Sequence, residues 1–365
     1  MTLHIVHTEA SQGWGGQEVR ILTEAKSLQN LGHRITLLTP PTAKIYTAAS
    51  NYGLEVVAMP YEKKSIKAIK STRRWFKNNQ PDIVNTHSSI DSWVSAIARI
   101  GLDLPIVRTR HISAPISKNF SSRWLYTKGA DHIVTTGMSL RTDIIKRLGI
   151  NGSKITSIPT GIDLQRFSLQ STKSKHAMRK SLGISQDALV IGIAATLRSW
   201  KGHDYLLDAF SQISKKHPNT SLLIAGDGPR REVISNWVKA SGLAARIHLI
   251  GHRDDMPDVL AAMDIFALPS FANEGVPQAI LQAMAMQLPV VSTNVGAIEE
   301  AVINKKTGLV VMPKDAQALT EALEAMIDDT GMRNTFSINA REWVEQNFSI
   351  EYMAQRMLTI FQRLA

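Results

Sequence analysis

The chain of 365 residues is longer than one ordinary hydrophobic core needs, and its 44% of hydrophobic residues is enough to bury two cores of similar size. It contains no cysteine, which excludes disulfides and thiolate metal sites, and no apolar run of 18 residues, which excludes a membrane-spanning helix. The 42 basic and 31 acidic residues leave a net charge of +11, which predicts an anionic partner such as nucleic acid, an anionic membrane surface or a phosphorylated ligand.

Short apolar runs alternate with amphipathic stretches in the first half of the chain. Helical patterns such as Glu18–Asn30 and Ser92–Ile100 separate several of these runs. Strands that are separated by helical stretches of ten or more residues indicate parallel βαβ units. The predicted buried strands are Leu3–His7, Ile35–Thr39, Glu55–Met59, Ile83–Thr86, Ile106–Thr109, His132–Thr135 and Ile155–Pro159.

The second half repeats this alternation with six further predicted strands. They are Leu189–Ala194, Ser221–Ala225, Ile247–Ile250, Ile265–Leu268, Val290–Ser292 and Gly308–Val311. Two such sets predict an α/β protein with two doubly wound domains that face each other across a cleft. We expect an N-terminal domain over residues 1–168, a polar linker over 169–182, a C-terminal domain over 183–339 and a helical segment over 340–365.

Glycines cluster directly after the first predicted strand. Gly13, Gly15 and Gly16 precede a helix that we expect to begin near Gln17. Glycine allows the backbone to approach a phosphate closely, and the N–H groups at a helix N-terminus favour anions. The pattern is not GxGxxG, so a plain tight turn and a phosphate-binding loop both remain open.

Two histidines each follow a predicted strand, His87 in NTHSS and His111 in RTRHI. Residues at the carboxyl ends of parallel strands lie at the edge where open α/β sheets bind ligands. The pair therefore predicts hydrogen-bond donors to a ligand, although a single histidine in such a place is as often structural. Neither histidine has a spacing such as HxxxH, so we expect no metal site here.

Two cations lie in the loop after the first strand of the second half. Arg198 and Lys201 precede Gly202, which permits a sharp bend before the next helix. A guanidinium fork and an ammonium in such a loop suit a diphosphate, because the fork binds two oxygens at once. Solvated loop cations are the alternative.

The stretch from Glu274 to Glu300 is the most informative part of the chain, since it combines an acidic loop, a helix, a buried strand and a glycine turn. Glu274, Gly275 and Val276 precede the helix, where backbone N–H groups favour anionic or hydroxylated ligands. The structural alternatives are that Glu274 stabilises the helix dipole and that Gln282 is a solvated surface residue.

Two familiar catalytic patterns do not occur in the sequence. There is no Asp-x-Asp pair of the kind that holds a divalent metal on a diphosphate, and no GxSxG nucleophile elbow. Cations and helix termini would then neutralise a leaving diphosphate, and we expect neither a metal nor another cofactor.

A basic stretch over residues 63–77 predicts contact with an anionic membrane surface. Its cations recur at helical spacing, with apolar residues near another face, and a basic helix of this kind can lie on an anionic leaflet. A solvated helix flank is the alternative. Ser113–Lys128, where aromatic and basic residues interleave, is a second candidate for membrane contact. No nucleic-acid reader motif accompanies the positive charge, so we do not expect a nucleic-acid partner. The cations of the basic stretch are Lys63, Lys67, Lys70, Arg74 and Lys77.

The ordered series of motifs resembles glycosyltransferase family 4, whose members have the GT-B architecture and act with retention. The resemblance spans nearly the whole chain. Its motifs are GGQE at Gly15, NTH at Asn85, TRH at Thr109, IPTGID at Ile158, KG at Lys201, GDGPR at Gly226, LPS at Leu268, EGVPQAILQAMAMQLPVV at Glu274 and VGAIEE at Val295.

The resemblance implies roles for matching positions. Gly15 and Gly16 would face the donor diphosphate, Lys201 would bind it, and His111 would lie beside the donor sugar, with His87 as a second active-site histidine. Glu274 matches a glutamate that contacts donor-sugar hydroxyls. Glu300 matches the glutamate after the glycine turn, without a clear role.

Two positions depart from the family pattern. Gln282 replaces the glutamate that would hold the ribose hydroxyls, although an amide can still accept from one hydroxyl and donate to another. Thr196 replaces the usual arginine five residues before the lysine, and Arg198 is a shifted candidate for its place.

The resulting prediction is a cytoplasmic, peripherally membrane-associated retaining glycosyltransferase. It would use a nucleotide-sugar donor and a lipid-linked or oligosaccharide acceptor in envelope polysaccharide or lipopolysaccharide synthesis. A nucleotide-sugar 2-epimerase and a non-catalytic scaffold of the same fold are the alternatives, and Gln282 is the main argument for the scaffold.

Overall fold

The computed structural model describes residues 1–111, 116–117, 119–169, 172–272 and 274–365. The chain divides into two compact units, which we call unit 1 (Met1–Gly161 with Ile350–Ala365) and unit 2 (Ile162–Ser349). Each unit is built around one parallel sheet, with seven strands in unit 1 and six in unit 2 among the described residues.

Unit 1 alternates strands and helices. Its strands are β1 (His4–Thr8), β2 (Arg34–Thr39), β3 (Glu55–Ala58), β4 (Ile83–Thr86), β5 (Ile106–Arg110), β6 (His132–Thr135) and β7 (Ile155–Ser157). Its helices are α1 (Gly16–Asn30), α2 (Lys44–Asn51), α3 (Ile66–Asn79), α4 (Ser89–Ala98), α5 (Phe120–Thr127) and α6 (Met138–Leu148), followed by a short 3₁₀ turn at Gly152–Lys154.

The sheet of unit 1 has the order β3-β2-β1-β4-β5-β6-β7. Strands β1, β4 and β6 are buried along their whole length, including their histidine, asparagine and threonine residues. The order reverses at β1, so the carboxyl ends of β1 and its neighbour β4 lie at the topological switch point where such sheets bind ligands.

Unit 2 repeats this plan. Its strands are β8 (Leu189–Ala194), β9 (Thr220–Ala225), β10 (Ile247–Gly251), β11 (Ile265–Leu268), β12 (Val290–Thr293) and β13 (Gly308–Val311), in the sheet order β10-β9-β8-β11-β12-β13. Its helices are α7 (Thr172–Ser181), α8 (His203–Lys216), α9 (Arg231–Ala240), α10 (Met256–Ala261), α11 (Gln278–Ala285), α12 (Ile298–Ala301), α13 (Ala316–Asp328) and α14 (Thr330–Asn347), with a 3₁₀ turn at Ser199–Lys201.

The thirteen strands predicted from the sequence are all present, with ends that differ by at most two residues. The predicted linker, residues 169–182, largely forms α7, and its residues 170 and 171 lie outside the described part of the chain. Arg179 is buried in this helix and donates to the Asp264 carboxylate at 2.7 Å and to the Ala262 carbonyl at 3.0 Å. These bonds make the segment part of unit 2.

The predicted C-terminal segment, residues 340–365, is divided between the two units. Its first part continues α14, whose Ala340 and Val344 belong to the core of unit 2. Its second part is α15 (Ile350–Leu364), whose buried Met353, Met357 and Phe361 join the core of unit 1 beside α1. The apolar face of α14 therefore packs into the core of unit 2, and the apolar face of α15 packs into the core of unit 1.

Candidate functional site

In unit 2, the loops that follow β8 and β11 meet in a buried ion pair. The Lys201 ammonium lies 2.6 Å from Glu274 Oε1, and the Ser270 hydroxyl donates to the same oxygen at 2.6 Å. Glu274 is only 5% exposed, so this pair is shielded from bulk water. The structure therefore brings together two of the residues that the sequence predicts to bind the donor.

Two glycines allow these loops to approach so closely. Gly202 has φ +77°, and a Cβ there would lie 1.9 Å from the Pro269 carbonyl oxygen. Gly296 has φ +64°, and a Cβ there would lie 2.0 Å from the Glu274 carbonyl oxygen. Any other residue at either position would push the backbone of the Glu274 loop away, so both glycines position the carboxylate.

Arg198 lies on the same loop as Lys201, at the start of the 3₁₀ turn. The Lys201 backbone N–H donates to the Arg198 carbonyl at 3.1 Å. The Arg198 guanidinium is exposed and lies over the Trp200 ring, 5.2 Å from its centroid. A cation held on an aromatic face keeps its N–H groups available at the ring edge for an anion.

A cavity of about 360 Å³ opens at the carboxyl edge of the unit 2 sheet. This volume is within the range of small-molecule sites. Gln282 and Thr196, the two departures from the family pattern, both line it. The remaining lining residues are Ala194, Ala195, Ala225, Gly226, Asp227, His252, Arg253, Met256 and Ala279.

Gly275 and Val276 are partly buried and connect Glu274 to α11, which begins at Gln278 after the N-cap Pro277. Glu300 lies in the short helix α12, and its carbonyl accepts a bond from the Trp343 indole at 3.3 Å. Glu300 is not among the described residues that line the cavity.

Unit 1 contains a chain of three imidazoles at the carboxyl ends of β1, β4 and β5. His7 Nδ1 lies 2.9 Å from His87 Nε2, and His87 Nδ1 lies 2.9 Å from His111 Nε2. Burial lowers the pKa of His7 to about 3, with a smaller contribution from Arg20. Burial and neighbouring positive charges also hold the pKa values of His87 and His111 well below the usual range, so the three rings are neutral.

The sequence predicted His87 and His111 but missed His7, because His7 lies inside the buried strand HIVHT. Ser270 was missed for a similar reason, since the motif LPS does not reveal which atom its hydroxyl contacts. A polar residue within a buried strand was the available signal in the case of His7, because such a side chain needs a partner.

The glycine loop of unit 1 is tied to a buried acid. Glu9 accepts bonds from the Ala10 and Ser11 backbone N–H groups, both at 2.7 Å, and from the Gln17 amide at 2.5 Å. Burial, together with the nearby Asp91, raises the pKa of Glu9 to about 8. Gly15 and Gly16 are exposed at the start of α1, and a Cβ at Gly16 would meet nothing within 4 Å. Packing in the described structure therefore does not require a glycine at Gly16.

The basic stretch forms helix α3, which begins at Ile66 because the Ser65 hydroxyl caps it by accepting from the Ala68 N–H. Lys63 consequently lies before the helix, outside the predicted helical stripe. The five predicted cations are exposed, and none forms an ion pair with a described residue at the distances expected for salt bridges. Ile66 is 71% exposed beside them.

The second predicted membrane segment, Ser113–Lys128, is only partly described, since residues 113–115 and Lys118 lie outside the described part of the chain. The remainder includes α5, in which Trp124 lies against Trp93 with ring centroids 5.3 Å apart. Tyr126 is buried beneath the Arg108 guanidinium. Of its aromatic residues, Phe120 is 86% exposed.

Among the described residues, no group of three or more acidic or histidine side chains is arranged to hold a metal ion. Within the same residues, no helix is both long and apolar enough to span a bilayer.

Two family models match the chain, Glycosyltransferase Family 4 over residues 14–166 and Glycosyl transferases group 1 over residues 174–343. Together they cover both units.

Curated relatives include a UDP-Gal:alpha-D-GlcNAc-diphosphoundecaprenol alpha-1,3-galactosyltransferase of Escherichia coli, which is 29% identical over 79% of this chain and 76% of its own. The lipopolysaccharide core biosynthesis mannosyltransferase LpsB of Rhizobium meliloti (strain 1021) is 32% identical over 57% of this chain and 61% of its own.

Solved structures share the fold over the full length. A glycosyltransferase from Rickettsia africae superposes with a TM-score of 0.90 at 22% identity, covering 100% of this chain and 98% of its own. Anabaena HepE in complex with UDP gives a TM-score of 0.87 at 22% identity, with 100% of both chains covered. These similarities confirm the predicted GT-B fold class.

Proposed function

The chain belongs to glycosyltransferase family 4 and is a glycosyltransferase, and from this premise we propose that it transfers a hexose, with retention, from a UDP-sugar to a lipid-linked acceptor of envelope polysaccharide or lipopolysaccharide synthesis. The choice of UDP is supported by the E. coli relative, which is named for UDP-Gal, and by HepE, which was solved with UDP and with UDP-glucose.

The observation that carries the proposal is the buried Lys201–Glu274 pair, which the loops after β8 and β11 bring together at the same sheet edge where the unit 2 cavity opens. An ammonium has three N–H donors, so Lys201 can give one to Glu274 and keep two for diphosphate oxygens. The Glu274 carboxylate can accept bonds from sugar hydroxyls in turn. One ion pair thus links the leaving group to the transferred sugar.

The cavity of unit 2 is proposed as the nucleoside site. Gln282 lines it, and its amide can accept from one ribose hydroxyl and donate to the other. This arrangement would preserve ribose binding without the family's second glutamate. The helix N-terminus near Val276 and the Arg198 guanidinium add positive potential for the diphosphate.

In the proposed reaction, the bond between the sugar C1 and the diphosphate oxygen breaks through an oxocarbenium-like state. The acceptor oxygen forms its bond to C1 on the same face, and its proton passes to an oxygen of the leaving UDP. Lys201 and Arg198 neutralise the charge that develops on the leaving group, so that the reaction proceeds without a metal.

Helix α3 is proposed to hold the enzyme on the cytoplasmic face of an anionic membrane, where a lipid-linked acceptor is presented. Its exposed cations and the exposed Ile66 combine charge with apolar surface, which suits the interface of a bilayer. The transferases among the relatives do not favour a 2-epimerase or a non-catalytic scaffold.

Donor screening by thermal shift and donor hydrolysis tests the proposal, with UDP-, GDP-, dTDP- and ADP-sugars, each with and without a chelator. We expect a UDP-sugar to raise the melting temperature equally with and without chelator. The Lys201→Met variant should lose this shift, whereas Lys215→Met, at an exposed position of α8, should keep it.

Stabilisation by a different nucleotide would overturn the choice of UDP, and loss of the effect with chelator would overturn the metal-free reaction. If no nucleotide sugar stabilises the protein, unit 2 does not bind a donor and the proposed transfer is wrong.

A further inference from the structure

The three imidazoles of unit 1 form a continuous hydrogen-bonded chain from the protein interior to a partly exposed ring. His7 is fully buried, His87 is 4% exposed, and His111 is the partly exposed member. The three rings follow the order of neighbouring strands in the sheet: His7 lies in β1, His87 directly follows β4 and His111 directly follows β5. In such a series of hydrogen bonds, the nitrogen that carries the proton in one end ring determines which nitrogen carries it in the other end ring.

Each ring is neutral and so carries one proton on one of its two nitrogens. Each of the two hydrogen bonds needs one N–H and one lone pair. The three rings must therefore all carry the proton on Nδ1 or all carry it on Nε2. In the first arrangement His7 donates to His87 and His87 donates to His111, and in the second arrangement both bonds run the other way.

The buried end of the chain distinguishes the two arrangements. His7 Nε2 is buried and has no hydrogen-bond partner among the described residues. Proton placement on Nε2 would leave a buried N–H without an acceptor, and orphaned buried N–H groups are rarer than unsatisfied acceptors. Proton placement on Nδ1 leaves only a lone pair unpaired and uses the N–H in the bond to His87.

The middle ring is fixed at its backbone as well. The His87 N–H donates to the Asp91 carboxylate at 2.9 Å, and the Thr8 hydroxyl donates to the same Asp91 oxygen at 2.8 Å. Because Thr8 directly follows His7, one carboxylate aligns the strand ends that carry the first two rings.

We propose that His7 is a positioning residue that acts through His87 to fix the tautomer of His111, so that His111 offers an Nδ1–H donor to an oxygen of the substrate. This inference rests on the proposed function for the identity of the substrate, but the tautomer itself is a property of the free protein. His7 does not touch substrate, and its role is to keep His111 a donor rather than an acceptor.

Two substitutions at His7 test the direction of the hydrogen bonds between the imidazoles separately from the existence of these bonds. In His7→Asn the side-chain amide can donate to His87 Nε2, so the wild-type direction remains available. In His7→Asp a carboxylate can only accept, so His87 and His111 should both move their proton to Nε2. The two variants have nearly the same size and differ in whether the side chain can donate to His87.

Nitrogen-15 NMR of histidine-labelled protein gives the direct readout, because protonated and unprotonated ring nitrogens have distinct shifts. We expect Nδ1–H at all three rings in the wild type, Nδ1–H at His87 and His111 in His7→Asn, and Nε2–H at both in His7→Asp. A wild-type His111 protonated on Nε2 would overturn the proposal.

Transfer kinetics give the second readout. We expect kcat of His7→Asn to stay within about threefold of the wild type and kcat of His7→Asp to fall by about tenfold or more, the usual effect of one lost hydrogen bond. Equal kcat values in the two variants, with His111 flipped in only one, would refute the role of the tautomer.

A failure of the tautomer proposal can be distinguished from a failure of the proposed function. If His7→Asp does not fold, the wild-type and His7→Asn spectra still decide the direction of the chain. If the protein transfers no sugar to any acceptor, the spectra retain their meaning and only the proposed function is lost.

Discussion

Glu274 shows how individual side chains set the chemistry of unit 2. Its Oε1 receives both the Lys201 ammonium and the Ser270 hydroxyl, and it lies in a loop that two glycines hold close to the neighbouring loops. Removing one partner of a buried ion pair leaves the other uncompensated, which is costly. A substitution that preserves shape but removes charge is therefore the most informative test at this position.

We expect Glu274→Gln to lower kcat/KM for sugar transfer by about 10- to 150-fold, because hydrogen bonds to a charged group contribute about 1.5–3 kcal/mol. The amide oxygen can still accept from Lys201 and Ser270, so the protein should fold, but the melting temperature should fall because the Lys201 ammonium loses its counter-charge. Steady-state kinetics with a UDP-sugar and thermal melting measure the two effects.

Glu299→Gln provides the matched control, since Glu299 is an exposed glutamate in the nearby helix α12. It should leave both kinetics and melting unchanged. Full activity in Glu274→Gln would show that the charge of Glu274 has no role in transfer.

Residues of the candidate site could be identified from the sequence only where a recognisable motif contains them. Lys201 and Glu274 were predicted from motifs and lie in contact. His7 and Ser270 were not predicted, because their partners lie 80 and 4 residues away and depend on sheet order or on loop geometry. Contacts across parallel strands are not encoded by local periodicity.

At the scale of elements, the loop between β1 and α1 combines exposed glycines with a buried anchor. Glu9 fixes the Ala10–Ser11 backbone and Gln17, while Gly15 and Gly16 lie at the exposed start of α1. A Cβ at Gly16 would meet nothing within 4 Å. Open space at a glycine is what a closely approaching ligand would need.

We expect Gly16→Ala to keep or raise the melting temperature, since alanine in a helix is favoured over glycine by about 0.5–1 kcal/mol. If a phosphate approaches this backbone, the added methyl should lower kcat/KM for transfer by about tenfold or more. Thermal melting and steady-state kinetics separate stability from function.

Gln12→Ala, an exposed change in the same loop, should leave transfer unaffected. If Gly16→Ala is as active as the wild type, the glycines form a turn and do not contact the substrate.

Helix α3 presents cations without obvious partners in unit 1. Its buried Ala68, Thr72 and Phe76 attach one face to the unit, which leaves the basic face outside. Each cation close to an anionic leaflet contributes about 1 kcal/mol, and salt screens this attraction. The helix is therefore an element whose surface, rather than its core, suggests a partner.

We expect simultaneous charge reversal of Lys67, Lys70 and Arg74 to glutamate to weaken binding to phosphatidylglycerol vesicles by about 100-fold, as three lost contacts imply. Vesicle sedimentation at two salt concentrations measures this effect. Donor hydrolysis without lipid should remain unchanged, because these residues lie on the exposed face of α3 and not in the unit 2 cavity.

The matched control reverses Lys215, Lys239 and Lys306, which are exposed cations of unit 2, and so changes the net charge equally. Equal loss of vesicle binding in both triple variants would show that net charge, and not helix α3, drives association.

On the scale of the whole molecule, the alternation of strands and helices predicted the two sheets, but the path of the chain between units was not predictable. The polar residues of 169–182 indicated a linker, yet Arg179 has backbone and carboxylate partners that only folded unit 2 supplies. In the same way, two amphipathic helices near the C-terminus gave no indication that they complete different cores.

The helix α15 belongs to the core of unit 1, although unit 2 separates it in the sequence from the rest of that unit. Met353, Met357 and Phe361 are buried in the same core as Leu22 and Leu28 of α1. A core built from segments far apart in the sequence consists of non-local contacts. Truncation near the C-terminus should therefore weaken unit 1, although unit 2 precedes the truncated segment directly.

We expect Phe361→Ala to destabilise unit 1 by about 3–5 kcal/mol, the usual cost of removing a buried phenylalanine side chain. Hydrogen exchange followed by mass spectrometry should show faster exchange in the peptides of β1 and α1 and unchanged exchange in β8 to β13. Gln355→Ala, an exposed change on the same helix, should alter neither set. Faster exchange in the strands of unit 2 would instead show that α15 supports both cores, because a local cavity in unit 1 cannot by itself release backbone hydrogen bonds of a separate sheet.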